Sequence, residues 1–398
     1  MLLSHKILFF LNSFSTGILT PVLTLVLCSH GASLSTVPVF LGIFAVTVMV
    51  LEVPSGVFAD LKGRKNTFLM SHIFIWISFF TIFRGNSPLF LALGNVFLGM
   101  GRAFGSGSME ALEIDWYIEK NGESHLPEIN SLLAKLDNFG LAAGALLGGY
   151  LGYVEPDYSL NLTFLLLAEA VLILMAIFFV KEKGIKAKSK KPKQNLLKGF
   201  SEMVKNIRHS RILCIICGMA AVLGFLLAAV ETYWQPSIKL YLPENLTWLL
   251  GIVNCSAYLG GSIGNTAGMR ILSKMGNTLS SKKKLYAAFR VLLCLVPVLM
   301  AFCRTWYIFA LVYALVYMVS GMAGLIENTL LHEAADSSFR ASMMSLYSLL
   351  VRGGSIGTSL LCGVLLQGGN LNLVWIFVPL AALGATVLMI LFVIPRKI

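Results

Sequence analysis

What most constrains this chain is that its apolar residues come in runs, each close to the length of about 20 residues that carries a helix across a bilayer. Twelve can be placed, at 7–27, 38–59, 67–83, 89–115, 129–152, 160–181, 210–233, 247–272, 285–303, 306–331, 341–366 and 372–394. Such runs are too long for barrel strands, which need about ten residues of alternating pattern. A soluble enzyme is excluded too. Of all residues 57% are hydrophobic and 13% charged, against about half and a quarter in soluble domains. The expectation is an all-α membrane protein with twelve transmembrane helices. The first run begins near Ile7 with no small-residue cleavage site, so it reads as the first span.

A net charge of +12 invites a nucleic-acid reading, but its distribution points elsewhere. Lys6, Lys62, Arg64, Lys65, Lys120, the basic run of 181–211, Arg270, Lys274, Lys282 to Lys284, Arg340, Arg396 and Lys397 fall on the side shared by both termini. The opposite loops hold Arg84, Lys239 and Arg304. That asymmetry puts the termini in the cytoplasm and the protein in the cell membrane, with anionic lipids rather than nucleic acid as partners of the positive charge. The basic linker at 182–209 separates an N-terminal six-helix half, 1–181, from a C-terminal half, 210–398. An internal repeat fits that division. Ser106-Gly-Ser-Met-Glu-Ala-Leu-Glu113 resembles Ser320-Gly-Met-Ala-Gly-Leu-Ile-Glu327 at an offset of 214, and Gly140-x-x-x-Gly144 is answered by Gly353-x-x-x-Gly357.

The loop between spans two and three reads Gly56-Val-Phe-Ala-Asp60-Leu-Lys-Gly63-Arg64-Lys65. It resembles the signature loop of the major facilitator superfamily, departing at Leu61, where that family carries a cation. Glu52-Val-Pro-Ser and the Ser-Gly-Ser-Met-Glu-Ala stretch resemble a bacterial, drug-efflux-like branch. The resemblance implies two pseudo-symmetric halves, alternating access, a monomer and no cofactor. It also implies a conformational gate. Gly56 would let a neighbouring helix approach, Asp60 would face the positive end of span eleven, Gly63 would make the turn, and Arg64 and Lys65 would sit at phosphate level. In the second half Gly264-x-x-x-Gly268-Met-Arg270 lacks the acid. Gly140-x-x-x-Gly144-Ala-Leu-Leu-Gly148-Gly149 is similar to the family's antiporter motif with Ala145 in place of proline, so close packing and an export role both stay open. The family's span-four arginine would fall at Asn95, whereas the cation here is Arg102.

An ionisable group inside the hydrocarbon costs several kcal/mol unless paired or hydrated. On one continuous helix Asn95, Gly99, Arg102, Ser106 and Glu113 share a stripe, with Glu110 at its edge. Clustered carboxylates cannot all stay ionised there. Glu113 and Glu110 are therefore the leading proton-coupling candidates, followed by Glu52 and Asp137. Glu169 and Arg290 read as static pairs, and Asp115 as part of the cytoplasmic gate. Asn12, Arg102, Glu231 and Trp234 are the substrate-binding candidates, since an acid beside aromatics suits a cationic or amphipathic solute. Cys214 and Cys217 read as core, and the histidines show no metal-ligand spacing. No catalytic cluster marks an enzyme. The reading is a secondary active transporter exporting a small amphipathic or drug-like molecule against protons. Proton-coupled uptake of a nutrient or metabolite is the alternative, and a non-transporting sensor or enzyme on the same scaffold is the alternative from another class.

Overall fold

A computed structural model describes residues 2–106, 108–122, 125–180, 210–276, 278–334 and 340–393. The expected linker at 182–209, with Arg396 and Lys397, lies outside them. The first half contains α1 (Leu3–Leu19), α2 (Leu23–Ser29), α3 (Val37–Lys62), α4 (Arg64–Arg84), α5 (Pro88–Gly105), α6 (Ser108–Asn121), α7 (Leu126–Val154) and α8 (Ser159–Phe179). The second contains α9 (Arg211–Lys239), α10 (Leu249–Lys274), α11 (Leu279–Leu295), α12 (Trp306–Ala334), α13 (Arg340–Leu365) and α14 (Asn372–Val393). Each apolar run coincides with helix. Among the described residues nine helical stretches are long and apolar enough to cross a membrane, or ten with α1 and α2 taken as one bent span. The runs at 129–152 and 247–272 fall short because α7 carries Lys135 and Asp137, and α10 carries Asn254, Ser256, Asn265 and Thr266.

Three spans are interrupted where the local sequence removes helical hydrogen bonds. Pro21 sits in the 55° bend between α1 and α2 because its ring nitrogen has no proton to donate. Pro297 opens a 3-10 stretch, Val296–Phe302, after α11. In span four Ser106 leaves the helical region at ψ 110°, so α5 ends and α6 begins afresh at Ser108. Small, flexible residues there (Gly105, Ser106) make such a break cheap. This corrects the single stripe expected from Asn95 to Glu113, which assumed one uninterrupted helix.

The chain divides into two compact units, one of Met1–Lys186 with Leu242–Cys255, the other of Ala187–Tyr241 with Ser256–Ile398. Within the first, α7 packs on α1, α5 on α3 and α4, and α8 on α1 and α4. Within the second, α13 packs on α9, α12 on α11, and α14 on α9 and α11. The same pairing rule builds both.

The α1–α7 seam shows what the glycine stripe does. A Cβ at Gly140 would come within 2.5 Å of the Phe10 carbonyl oxygen, one at Gly144 within 2.2 Å of Phe14 O, and one at Gly148 within 2.1 Å of Ile18 O. Backbone thus lies directly on backbone, which only glycine permits. The α9–α13 seam repeats this with a shift. Gly354 lies against Ala221 O and Phe225 N just as Gly140 lies against Phe10 O and Phe14 N, whereas Gly353 has nothing within 4 Å. The counterpart of Gly140 is therefore Gly354, at the same offset of 214 that relates Glu113 to Glu327. Gly144 is answered by Thr358, whose hydroxyl donates to the Phe225 carbonyl.

Candidate functional site

The first unit encloses a cavity of about 690 Å³, within the range of small-molecule sites. Its polar wall comes from α1 (Asn12, Thr16), α5 (Arg102), α6 (Glu110) and α7 (Asn130, Asp137). Its apolar wall includes Phe9, Phe44, Phe79 and Leu98. Helical spacing puts Asn12 and Thr16 on one face of α1. The break at Ser106 puts Arg102 in the last turn of α5 and Glu110 in the first turn of α6. Each charge then lies at the helix end of opposite partial charge. Asp137 accepts a 2.6 Å hydrogen bond from Ser13.

Behind this wall lies a buried network that also borders the cavity. The Ser15 hydroxyl donates to Glu169 Oε1 at 2.6 Å, and His72 Nδ1 meets Glu169 Oε2 at 2.6 Å. All three side chains are buried, and the His72 ring sits edge-on to Phe68 at 4.2 Å. Glu169 is a paired acid, as its position in an apolar run suggested. The sequence carried no sign that its partner is His72.

Two of the four coupling candidates line the cavity. Glu110 and Asp137 reach the cavity, whereas Glu113 does not line it. Glu113 is buried against His5 Nδ1, and the other ring nitrogen of His5 lies 3.2 Å from the Phe179 carbonyl. Glu52 is half-buried away from the cavity lining, with Oε2 buried and unpartnered among the described residues. Of the binding candidates, Asn12 and Arg102 share the cavity, and Arg102 forms no ion pair among the described residues. Glu231 and Trp234 belong to the second unit. Glu231 is exposed on α9. Trp234 is 1% exposed and stacked on Tyr313 at 4.7 Å.

At the signature loop, Gly63 takes φ 91° and joins α3 directly to α4, a conformation that excludes most other residues. Arg64 pairs with Asp115 at 2.8 Å, and Lys65 Nζ donates to the Ile177 carbonyl at the end of α8, 2.9 Å away. The Asp60 side chain lies outside what is described. Gly56 departs from expectation: it is exposed, and a side chain there would meet nothing within 4 Å. The neighbouring contact is made by Ser55, whose hydroxyl donates to the Ala103 carbonyl of α5 at 2.9 Å.

Residues 7–280 match the sequence profile of the Major Facilitator Superfamily. The chain belongs to that superfamily. As a member it is a multi-pass membrane protein. A relative in Bacillus subtilis (strain 168), described as an uncharacterized MFS-type transporter, YxaM, is 25% identical over 240 residues, 58% of this chain and 56% of that one. The match thus spans little more than half of that relative's length. Among solved structures the nucleoside transporter NupG aligns with a TM-score of 0.76 at 14% identity over 98% of this chain and 97% of its own. A POT family transporter in complex with a thioalcohol-conjugated peptide aligns at 0.73 with 13% identity, over 98% and 95%. At such identities the likeness is one of fold.

Each unit also buries a paired acid that does not line this cavity. Glu327, the counterpart of Glu113, is buried in the second unit, where Arg290, Tyr286 and Tyr347 all donate to its carboxylate. Glu113 has His5 for the same task.

Proposed function

We propose that this chain is a secondary active transporter that works by alternating access and exports a small amphipathic molecule in exchange for protons. The observation that carries the reading is the cavity of the first unit. It presents Arg102, Glu110 and Asp137 beside Phe9, Phe44 and Phe79, within the apolar runs expected to span the membrane. Charges at that depth are costly unless water or a solute meets them, and the aromatic wall gives an amphipathic solute its apolar contact. Glu110 and Asp137 are the two coupling candidates that reach the cavity, so either can exchange a proton with its contents.

The test uses the full chain in membrane vesicles energised by a pH gradient and offered a panel of cationic, anionic and zwitterionic amphiphiles. Inverted vesicles are expected to accumulate at least one of them, and Asp137→Asn or Glu110→Gln to abolish that accumulation. Accumulation by right-side-out vesicles alone would establish uptake instead. Alternating access is read separately, from Asn12→Cys in a background without the seven native cysteines. Its thiol is expected to react with impermeant reagent from either face. Reaction from one face under every condition would remove the alternating-access reading.

A further inference from the structure

The charges of the cavity say more about the solute than that it is amphipathic. Arg102 and Glu110 both line it, both are exposed, and neither forms an ion pair among the described residues. They lie eight positions apart on either side of the helix break and do not meet as an ion pair in this structure. Asp137 adds a second carboxylate, held by the neutral Ser13 hydroxyl. Glu169 also borders the space, but its two oxygens are already taken by Ser15 and His72.

Helix ends compensate Arg102 and Glu110 only in part, because each supplies about half a unit charge. An unmatched charge at membrane depth costs more than that supplies. The two signs then decide what completes the site. A purely cationic solute leaves Arg102 unmatched, and a purely anionic one leaves both acids unmatched. A solute carrying both signs, joined by an apolar spacer, meets all of them and lays its spacer on the phenylalanines.

We propose that the cavity binds a small amphipathic zwitterion, with its carboxylate or phosphate on Arg102 and its ammonium group at Asp137 and Glu110. Arg102 presents the planar donor fork that suits either anion. Asn12 and Thr16, on the facing wall from α1, supply neutral hydrogen-bonding groups between the two charged ends. The proposal rests on the transport reading above, since it names the solute of that same cavity.

The experiment measures binding to the full-length protein in detergent, through ligand-dependent thermal stabilisation. The probes are ω-amino carboxylates of graded length, from γ-aminobutyrate to ω-aminocaprylate, and aminophenylacetate, each with its amine-only and carboxylate-only analogue. At least one zwitterion is expected to bind about tenfold or more tightly than both of its single-charge analogues, the scale of one charge-assisted hydrogen bond. Arg102→Gln should erase the advantage over the amine, and Asp137→Asn the advantage over the carboxylate. Arg102→Lys, which keeps the charge, should retain most of the effect, and unliganded melting of each variant reports whether it folds. If no zwitterion outbinds its analogues, or if the advantage survives Arg102→Gln, the proposal is overturned. Two-sided labelling of Asn12→Cys in the membrane vesicles described above separates the cases. If it persists, the solute class alone is wrong, and if it is lost, alternating access is what fails.

Discussion

Buried acids dominate the residue scale, and their partners decide what each one does. Glu327 is satisfied by one arginine and two tyrosines. Removing one partner of a buried pair strands the other charge, at a cost of about 3–5 kcal/mol, whereas replacing both with apolar residues of similar size is often neutral. Arg290→Met is therefore expected to lower the thermal stability of the detergent-solubilised protein strongly, and Arg290→Met combined with Glu327→Met to recover most of the loss. An additive double variant would show that the pair is not coupled. Sequence alone marked Glu113, Glu169 and Glu327 as acids in apolar runs, hence as paired or hydrated. It did not reveal the partners, because His5 lies 108 positions from Glu113 and His72 lies 97 from Glu169. No periodicity connects groups that tertiary packing brings together, so the pairing of Glu113 with His5 has no signal in the sequence.

At the level of elements, the glycine seams show how sequence similarity can misplace a counterpart by one residue. Gly353 and Gly354 are adjacent, and the motif spacing favoured Gly353; the packing selects Gly354. The two respond differently to the same change. At Gly144 a Cβ would stand 2.2 Å from Phe14 O, so Gly144→Ala must push α7 off α1, an overpacking cost of about 1–3 kcal/mol. Gly353→Ala meets no atom within 4 Å and should leave stability unchanged or raise it by up to about 1 kcal/mol through helix propensity. Denaturation of both variants in one detergent checks the contrast. The positions of the helices were legible because apolar length is a coarse, robust signal. The break in span four was not, because a Gly-Ser stretch is tolerated inside a membrane helix as well as at its end, and only the backbone at Ser106 distinguishes the two.

For the molecule as a whole, one packing scheme carries two chemistries. Phe10 and Phe14 of α1 correspond to Ala221 and Phe225 of α9 through their glycine contacts, an offset of 211. At that offset Asn12, Ser13, Ser15 and Thr16 become Leu223, Gly224, Leu226 and Leu227. The scaffold is repeated, while these four polar residues of α1 have no polar side chain at the matching positions of α9. The signature loop is also one-sided in sequence, since Asp60 has no acidic counterpart in Gly264–Arg270. Asp60→Asn is expected to slow transport severalfold while leaving membrane insertion and solute binding intact, as judged by transport rate against expression level and binding in detergent. Normal transport by a well-expressed variant would remove Asp60 from the gate. Arg64→Ala, by contrast, breaks a half-exposed pair with Asp115 and should change thermal stability by no more than about 1 kcal/mol. The interruption at Ser106 has a further, evolutionary consequence. Because Arg102 and Glu110 each sit at a helix end that the interruption creates, a lineage that healed it with strong helix formers would lose both ends at once. Each charge would then lose the partial compensation that its helix end supplies. The break and the two charges should therefore be inherited as a set, and descendants with a continuous fourth span should have lost Arg102 and Glu110 together, and with them the ability to handle the same solutes.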